Sequence, residues 1–217
     1  MPAFDSRRLP PAGTAAEPVR RHRVRSGASW TGACLAALLM IWTALVHSGL
    51  VPAARFARER IVVRVRPCEI EVDGLYVYEN PLPVPWTQGL SVPFPADRRQ
   101  PRPAAVRASL VSPGAERALP VLWASGPRFD VPLPASGEAT VRVRFTQRAP
   151  DRHGTYLLTT TRPWGRPLDR GEYVVIPEGV RIAHQSLGEG LAAVRERFFP
   201  DADWTFEWTA EEPRCAD

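Results

Sequence analysis

Proline is the residue type that most constrains what this chain can fold into. The 217 residues include 24 prolines, roughly twice the usual share. Proline lacks a backbone N–H donor and its ring clashes with the preceding helical turn, so a mainly helical fold is excluded. Within sheets, proline is confined to edges, strand starts and bulges. The chain is therefore predicted to form short strands separated by many turns.

Alternating apolar and polar residues form a series of short runs after residue 60, with Pro or Gly between them. This period of two residues predicts strands with one buried face. The predicted strands cover residues 61–66, 69–72, 75–79, 90–94, 105–112, 117–124, 128–133, 139–148, 156–162, 172–176 and 204–208. Strands at such short spacing predict a mainly β fold, an antiparallel β-sandwich or a barrel-like domain.

The most regular alternation surrounds Asp73 and Gly74. An Asp-Gly pair suits a type I′ turn, in which both central residues have positive φ. With that turn, the apolar residues of 69–72 and 75–79 would share one face of a two-stranded ribbon. We therefore predict a hairpin whose turn is Asp73-Gly74.

One helix is predicted near the C-terminus of the domain. Ser186 and Glu189 have the spacing of a capping box, in which each side chain satisfies a free backbone amide of the first turn. Four apolar residues then follow at helical spacing: Leu187, Leu191, Val194 and Phe198. Pro200 would end this helix.

A single long uncharged run lies near the N-terminus. From Ser26 to Ala54 there are 29 residues without Asp, Glu, Lys or Arg. As a helix, 25 of these residues would span about 37 Å, enough for a tilted bilayer crossing. A transmembrane helix within 27–52 is therefore predicted. A cleaved signal peptide is the open alternative, because a basic region precedes the apolar run and small residues follow it.

The remaining segments complete the domain assignment. Residues 1–26 are basic and rich in Pro, Ala and Gly, so we predict a disordered tail. Residues 53–60 are assigned as a linker, and 61–217 as an extracytoplasmic domain. Arginines flank both ends of the apolar run, so charge alone leaves the orientation open. A cytoplasmic N-terminus in the inner membrane is predicted because it is the usual layout of an exported domain.

The distribution of charge argues against nucleic-acid binding. The net charge is +5 over the whole chain. The first 27 residues contribute +4 and the other 190 only +1, with both signs interspersed. A nucleic-acid-binding protein would concentrate its basic residues on the folded domain. All 28 basic residues are Arg, so a single arginine is weak evidence of function.

The cysteines predict one disulfide. Cys68 and Cys215 are the two cysteines that follow the apolar run. A pair of cysteines in an oxidising compartment tends to be bridged. The bridge would connect the start of the domain to its end, with free thiols as the alternative.

The sequence carries no motif of a known catalytic or metal site. It lacks the nucleophile-elbow, zinc-protease and phosphate-loop patterns. Asp151, His153 and His184 have no ligand spacing between them. No catalytic residue, metal or cofactor is therefore predicted, and an uncharacterised hydrolase that uses these three residues stays a second alternative.

Aromatic residues in proline-rich loops offer the best functional hint. Trp164 lies between Arg162 and Arg166 in a proline-bracketed loop, and Trp86 lies in another proline-rich stretch. Loops on a rigid scaffold often carry recognition. The predicted function is a membrane-tethered, non-enzymatic interaction module that binds another envelope protein through these four residues. Carbohydrate or cell-wall binding through exposed Trp and Tyr is the first alternative.

Overall fold

The computed structural model describes residues 28–47, 54–123, 126–211 and 215. In this part of the chain there are one α-helix, one 3₁₀ helix and thirteen strands. The helix α1 spans Ala28–His47, and the 3₁₀ helix spans Thr159–Trp164. The strands are β1 (Arg55–Arg66), β2 (Glu69–Glu79), β3 (Trp86–Ser91), β4 (Val106–Ser112), β5 (Ala115–Leu119), β6 (Leu122–Trp123), β7 (Pro127–Leu133), β8 (Glu138–Arg148), β9 (His153–Tyr156), β10 (Leu168–Pro177), β11 (Arg181–Gln185), β12 (Ala192–Phe198) and β13 (Trp204–Thr209).

Helix α1 falls within the segment 27–52, for which a transmembrane helix is predicted. Of the helices that the structure describes, none reaches the length and apolar character that a bilayer crossing demands. The predicted disordered tail, residues 1–26, lies outside the described residues.

The strands form three sheets, which confirms the prediction of a mainly β fold. The large sheet has the order β12-β10-β1-β2-β8-β4-β5. Its strands pair antiparallel except for β1 and β10, which run parallel. The two small sheets have the orders β11-β13-β9 and β3-β7-β6. The sequence predicts an antiparallel fold, but the large sheet contains one parallel pair, β1 with β10, next to the edge strand β12.

One apolar core is shared by all three sheets. The inner face of β1 contributes Ile61, Val63 and Val65, each fully buried. The small sheets add large rings such as Trp204 and Phe206, also fully buried. Because a sheet buries every second side chain of each strand, the strong alternation in the sequence predicts much of this core.

Ion pairs cover the outer face of the large sheet. Arg66 contacts Glu69 at 2.8 Å and Glu71 at 3.0 Å, and Arg64 contacts Glu71 at 3.2 Å. Further pairs continue across β10, β8 and β5. Each exposed pair contributes little stability on its own. Together these pairs neutralise the face, so it presents neither an apolar patch nor a uniformly basic surface.

The predicted hairpin at Asp73-Gly74 is wrong. Strand β2 continues through both residues, and the turn to β1 lies at Pro67-Cys68 instead. Gly74 is required for a different reason, because a Cβ there would lie 2.3 Å from the hydroxyl oxygen of Tyr76. The glycine lets the Tyr76 ring lie flat on the sheet, a known use of glycine inside strands.

The predicted linker over residues 53–60 is also wrong, because β1 begins at Arg55. Phe56, Ala57 and Glu59 are buried, whereas Arg58 and Arg60 are exposed. Arg58 and Arg60 lie on the outer face of the large sheet, where they pair with Glu138 and Glu172.

The predicted C-terminal helix is replaced by a turn and the edge strand β12. Gly188 and Gly190 both have positive φ, at 139° and 92°, and glycines of this kind oppose a helix start. The Gln185 amide donates hydrogen bonds to the carbonyls of both glycines. The residues of β12 then pair antiparallel with β10. Pairing between strands therefore overrides the helical spacing of the apolar residues.

A disulfide joins Cys68 to Cys215, with the two Cα atoms 5.5 Å apart. Cys68 lies in the turn between β1 and β2, and Cys215 lies beyond the last strand. The bridge therefore ties the turn of the first hairpin to the segment after β13. Cys34 of helix α1 is a free, exposed cysteine.

Candidate binding site

Trp164, predicted to be displayed for binding, is half-buried at the end of the 3₁₀ helix. Its ring centroid lies 5.4 Å from that of Tyr78 and 5.8 Å from that of Phe56. Phe56 and Tyr78 in turn stack on each other at 5.0 Å. Trp164 therefore closes an aromatic cluster built from β1 and β2, instead of standing free in solvent.

Arg162 and Arg166 are both exposed, but they differ in what they contact. Arg162 donates hydrogen bonds to the carbonyl oxygens of Pro200 (from Nε at 2.9 Å) and Asp201. It thereby fastens the 3₁₀ helix to the chain that follows β12. Arg166 follows Gly165, whose φ of 68° turns the chain away from the 3₁₀ helix.

Trp86 is not brought together with this group. It begins β3, opposite Leu133 of β7, and borders a depression together with Pro85 and Pro132. Its indole N–H is buried and has no acceptor among the described residues. Ser91 at the far end of the same strand borders the Trp164 cluster, which places Trp86 roughly 16 Å along the strand from it.

Two of the three residues of the hydrolase alternative pair with other side chains. His153 contacts Glu207 at 3.4 Å across β9 and β13, and Asp151 contacts Arg99 at 3.8 Å. His184 lies in β11, beside Glu207 in register. Among the residues that the structure describes, no group of three or more His, Cys, Asp or Glu is placed to hold a metal ion.

A cavity of about 60 Å³ lies beneath Trp164 and was not foreseen from the sequence. Glu59 and three of the four tyrosines of the chain line it, together with Phe56 and Thr161. The tyrosines that line it are Tyr76, Tyr78 and Tyr156. The fourth, Tyr173, contacts Glu59 directly. We call these four tyrosines and Glu59 the tyrosine–glutamate cluster.

Glu59 lies on the inner face of the large sheet, in phase with Ile61 and Val63 of the same strand. Its side chain is almost fully buried, with 4% of the residue exposed. Tyr173 donates a hydrogen bond from its hydroxyl to Glu59 Oε1 at 2.6 Å. Burial raises the pKa of Glu59 to about 7, although the hydrogen bond from Tyr173 opposes this shift.

Two Gly-x-Tyr segments position the phenol rings. Gly74 precedes Tyr76 on β2, and Gly171 precedes Tyr173 on β10, which are the two strands that flank β1. A Cβ on Gly171 would lie 2.4 Å from the Tyr173 hydroxyl oxygen. Gly171 is the register partner of Glu59. The Tyr173 ring therefore folds back over the glycine and brings its hydroxyl to Glu59.

The hydroxyls of Tyr76 and Tyr156 share a hydrogen bond of 2.6 Å, which joins the large sheet to β9. Burial raises the pKa of Tyr76, Tyr78, Tyr156 and Tyr173 above the usual value for tyrosine. All four phenols therefore stay protonated near neutral pH. They can act as hydrogen-bond donors and as neutral rings, but not as bases.

The sequence did contain a signal for this cluster. Glu59 alternates in phase with Ile61, Val63 and Val65, so a strand extended toward the N-terminus places a carboxyl in the core. The repeated Gly-x-Tyr segments are a second signal. The glycan alternative requires exposed Trp and Tyr rings. Tyr76 and Tyr78 are buried and do not form an exposed row.

Comparisons with known proteins find a similar fold but give no information about the site. No protein-family model matches the sequence, and no curated protein matches it. The chain is similar in fold to the crystal structure of a protein from Legionella pneumophila subsp. pneumophila strain Philadelphia 1 that is proposed to bind a nutrient. The TM-score is 0.53 with 12% sequence identity, and the match covers 72% of this chain and 67% of the other. At that identity the likeness concerns the fold alone.

Proposed function

We propose that the β-domain works outside the cytoplasm as a non-enzymatic binding module for another envelope protein. The partner contributes an extended segment that adds to the free edge of the large sheet at β12. The observation that carries this proposal is the combination, at β12, of an unpaired strand edge with exposed apolar side chains.

Two features support a location outside the cytoplasm. The disulfide between Cys68 and Cys215 suits an oxidising compartment. The uncharged run from Ser26 to Ala54 is the segment that we propose directs export, as a membrane anchor or as a signal peptide.

Strand β12 ends the large sheet and pairs with β10 on one side only, among the described strands. Leu191 just before it is 43% exposed, and Val194 within it and Phe199 just after it are each 52% exposed. Unpaired backbone groups on such an edge can bind an added strand, and side-chain contacts then select the partner.

The opposite edge of the same sheet, strand β5, is shorter than β12. Strand β5 has only five residues, and its second residue, Glu116, pairs with Arg142 and Arg144. Short edges resist strand addition. Both edges carry charged residues, but β12 is longer and exposes Val194, which makes β12 the edge for a partner and β5 a matched control.

The loop that contains Arg162 and Trp164, which the sequence favours for recognition, adjoins this edge. Arg162 bonds to the carbonyls of Pro200 and Asp201, the residues that follow Phe199. A partner seated along β12 would therefore meet the exposed Arg162 side of the 3₁₀ helix at the end of the strand. In this way the proposal retains part of the surface predicted from the sequence.

Site-specific photo-crosslinking in cells tests the proposal. A photoreactive residue at position 194 or 199 of the full chain is expected to yield the same discrete product, whereas position 117 of β5 yields none. The substitution Val194→Asp should abolish the product formed from position 199, because a carboxylate on the edge opposes apolar contact.

Arg117→Asp serves as the matched control and should leave the product from position 199 unchanged. Equal crosslinking from β12 and β5, or no product from either β12 position, would show that the edge does not bind a partner.

A further inference from the structure

We propose that the cavity bordered by the tyrosine–glutamate cluster, Phe56 and Trp164 is a binding site for a small organic cation, an amine or a methylated ammonium group. The site is separate from the β12 edge and goes beyond the proposed partner binding. The argument rests on the buried carboxyl, the aromatic lining and the size of the cavity.

Glu59 is the one carboxyl-bearing residue that is buried among the described residues. Its Oε1 accepts a hydrogen bond from Tyr173, and the Glu59 side chain borders the cavity. The neighbouring arginines on β1 point to the other face, where Arg58 pairs with Glu138 and Arg60 with Glu172. A buried carboxylate without a countercharge is unfavourable, and a bound cation would supply that countercharge.

Five aromatic rings form a large part of the remaining wall. Phe56, Tyr78 and Trp164 lie within 6 Å of one another, centroid to centroid, and Tyr76 and Tyr156 also line the cavity. Ring faces attract cations over about 6 Å, most strongly where water is excluded. A cation in so small a cavity stays within that range of several rings while it contacts Glu59.

The cavity size and lining exclude the other ligand classes. A volume of about 60 Å³ holds roughly four water molecules, which suits an ammonium group of four or five heavy atoms and is too small for a sugar ring. An inorganic cation such as Ca²⁺ needs six or more oxygen ligands, and the wall offers mainly carbon. An anion would meet the Glu59 carboxylate.

The protonation state of Glu59 sets the charge of this cavity and therefore its affinity for a cation. The groups that face it are Tyr173 from β10, Tyr76 and Tyr78 from β2 and Tyr156 from β9, with Arg195 of β12 beside Tyr173. None of the tyrosines titrates below pH 8, since burial raises the pKa of each above its usual value of 10. Between pH 5 and pH 8, Glu59 is therefore the group that switches the cavity from neutral to anionic.

Isothermal titration calorimetry on the full chain tests the site with two probes, tetramethylammonium and methylammonium chloride, against sodium chloride at equal ionic strength. The wild type is expected to bind at least one probe at pH 8. With a Glu59 pKa of about 7, about 1% of the carboxyl is ionised at pH 5, so affinity should fall roughly 90-fold. The neutral molecule tert-butanol, of similar size, should bind at least about tenfold more weakly than tetramethylammonium.

Glu59→Gln keeps the side-chain shape and an acceptor for Tyr173, and it should weaken binding at pH 8 by roughly tenfold or more. Glu69→Gln, on the outer face of the same sheet, is the matched control and should bind like the wild type. The proposal is overturned by the absence of binding of both cations at pH 8, by equal affinity at pH 5 and pH 8, or by tert-butanol binding as tightly as tetramethylammonium. The wild-type pH comparison decides the matter even if Glu59→Gln fails to fold.

Discussion

Replacement of both Cys68 and Cys215 by serine is expected to lower the free energy of unfolding by about 4–5 kcal/mol. The disulfide closes a loop between residues 147 positions apart. A crosslink over so long a loop removes much of the conformational entropy of the unfolded chain, and the loss of the crosslink returns that entropy. Because whole domains are stable by about 5–15 kcal/mol, the double variant should unfold at much lower denaturant concentration.

Urea denaturation followed by tryptophan fluorescence measures this effect, since Trp204 and Trp208 are buried in the core. Cys34→Ser is the matched control, because Cys34 is free and exposed, and it should unfold like the wild type. Addition of reductant should shift the wild type to the midpoint of the double variant. A double variant as stable as the oxidised wild type would contradict the bridge.

The second large effect is a loss of stability as the pH rises, caused by Glu59. Its pKa is about 7 in the folded state against an ordinary value of 4.5. Between these two values the folded state holds a proton that the unfolded state has released, so rising pH favours unfolding. The contribution of Glu59 to the free energy of unfolding should fall by about 2.5 kcal/mol between pH 5 and pH 8. This contribution is fully present only below about pH 4.5.

Glu59→Gln should remove that pH dependence and be more stable than the wild type at pH 8. Denaturation of both proteins at several pH values gives the comparison, because all other titrating groups cancel in the difference. Glu69→Gln serves as a control that should follow the wild-type profile. If wild type and Glu59→Gln keep a constant difference from pH 5 to pH 8, the carboxyl does not titrate in this range.

The strand content could be predicted because alternation and proline spacing are local signals. The hairpin β4–β5 illustrates this, since the predicted strands 105–112 and 117–124 leave Pro113-Gly114 between them, and Gly114 has a φ of 74°. The same local signals failed where one sequence pattern is compatible with both a helix and a strand. Leu187 to Phe198 fits a helical face, but Gly188 and Gly190 start the chain into β12, and pairing with β10 completes the strand.

The site could be predicted only in part, because it depends on contacts between distant residues. Trp164 was singled out for its loop, yet its role follows from its packing on Phe56 and Tyr78. Glu59 escaped notice because the strand was predicted to begin at residue 61, whereas β1 begins at Arg55. The meeting of Glu59 with Tyr173, 114 positions later, depends on the parallel pairing of β1 with β10.

The central claim is that this domain folds and works outside the cytoplasm, and thiol trapping in cells tests it most directly. Cells that express the full chain are quenched in acid, alkylated with a maleimide and analysed by mass spectrometry. Cys68 and Cys215 should remain unlabelled until a reductant is added, because they form the disulfide. Cys34, where it is retained in the chain, should be labelled at once and so reports that the reagent works. Labelling of Cys68 and Cys215 without reductant would place the domain in a reducing compartment and contradict the account.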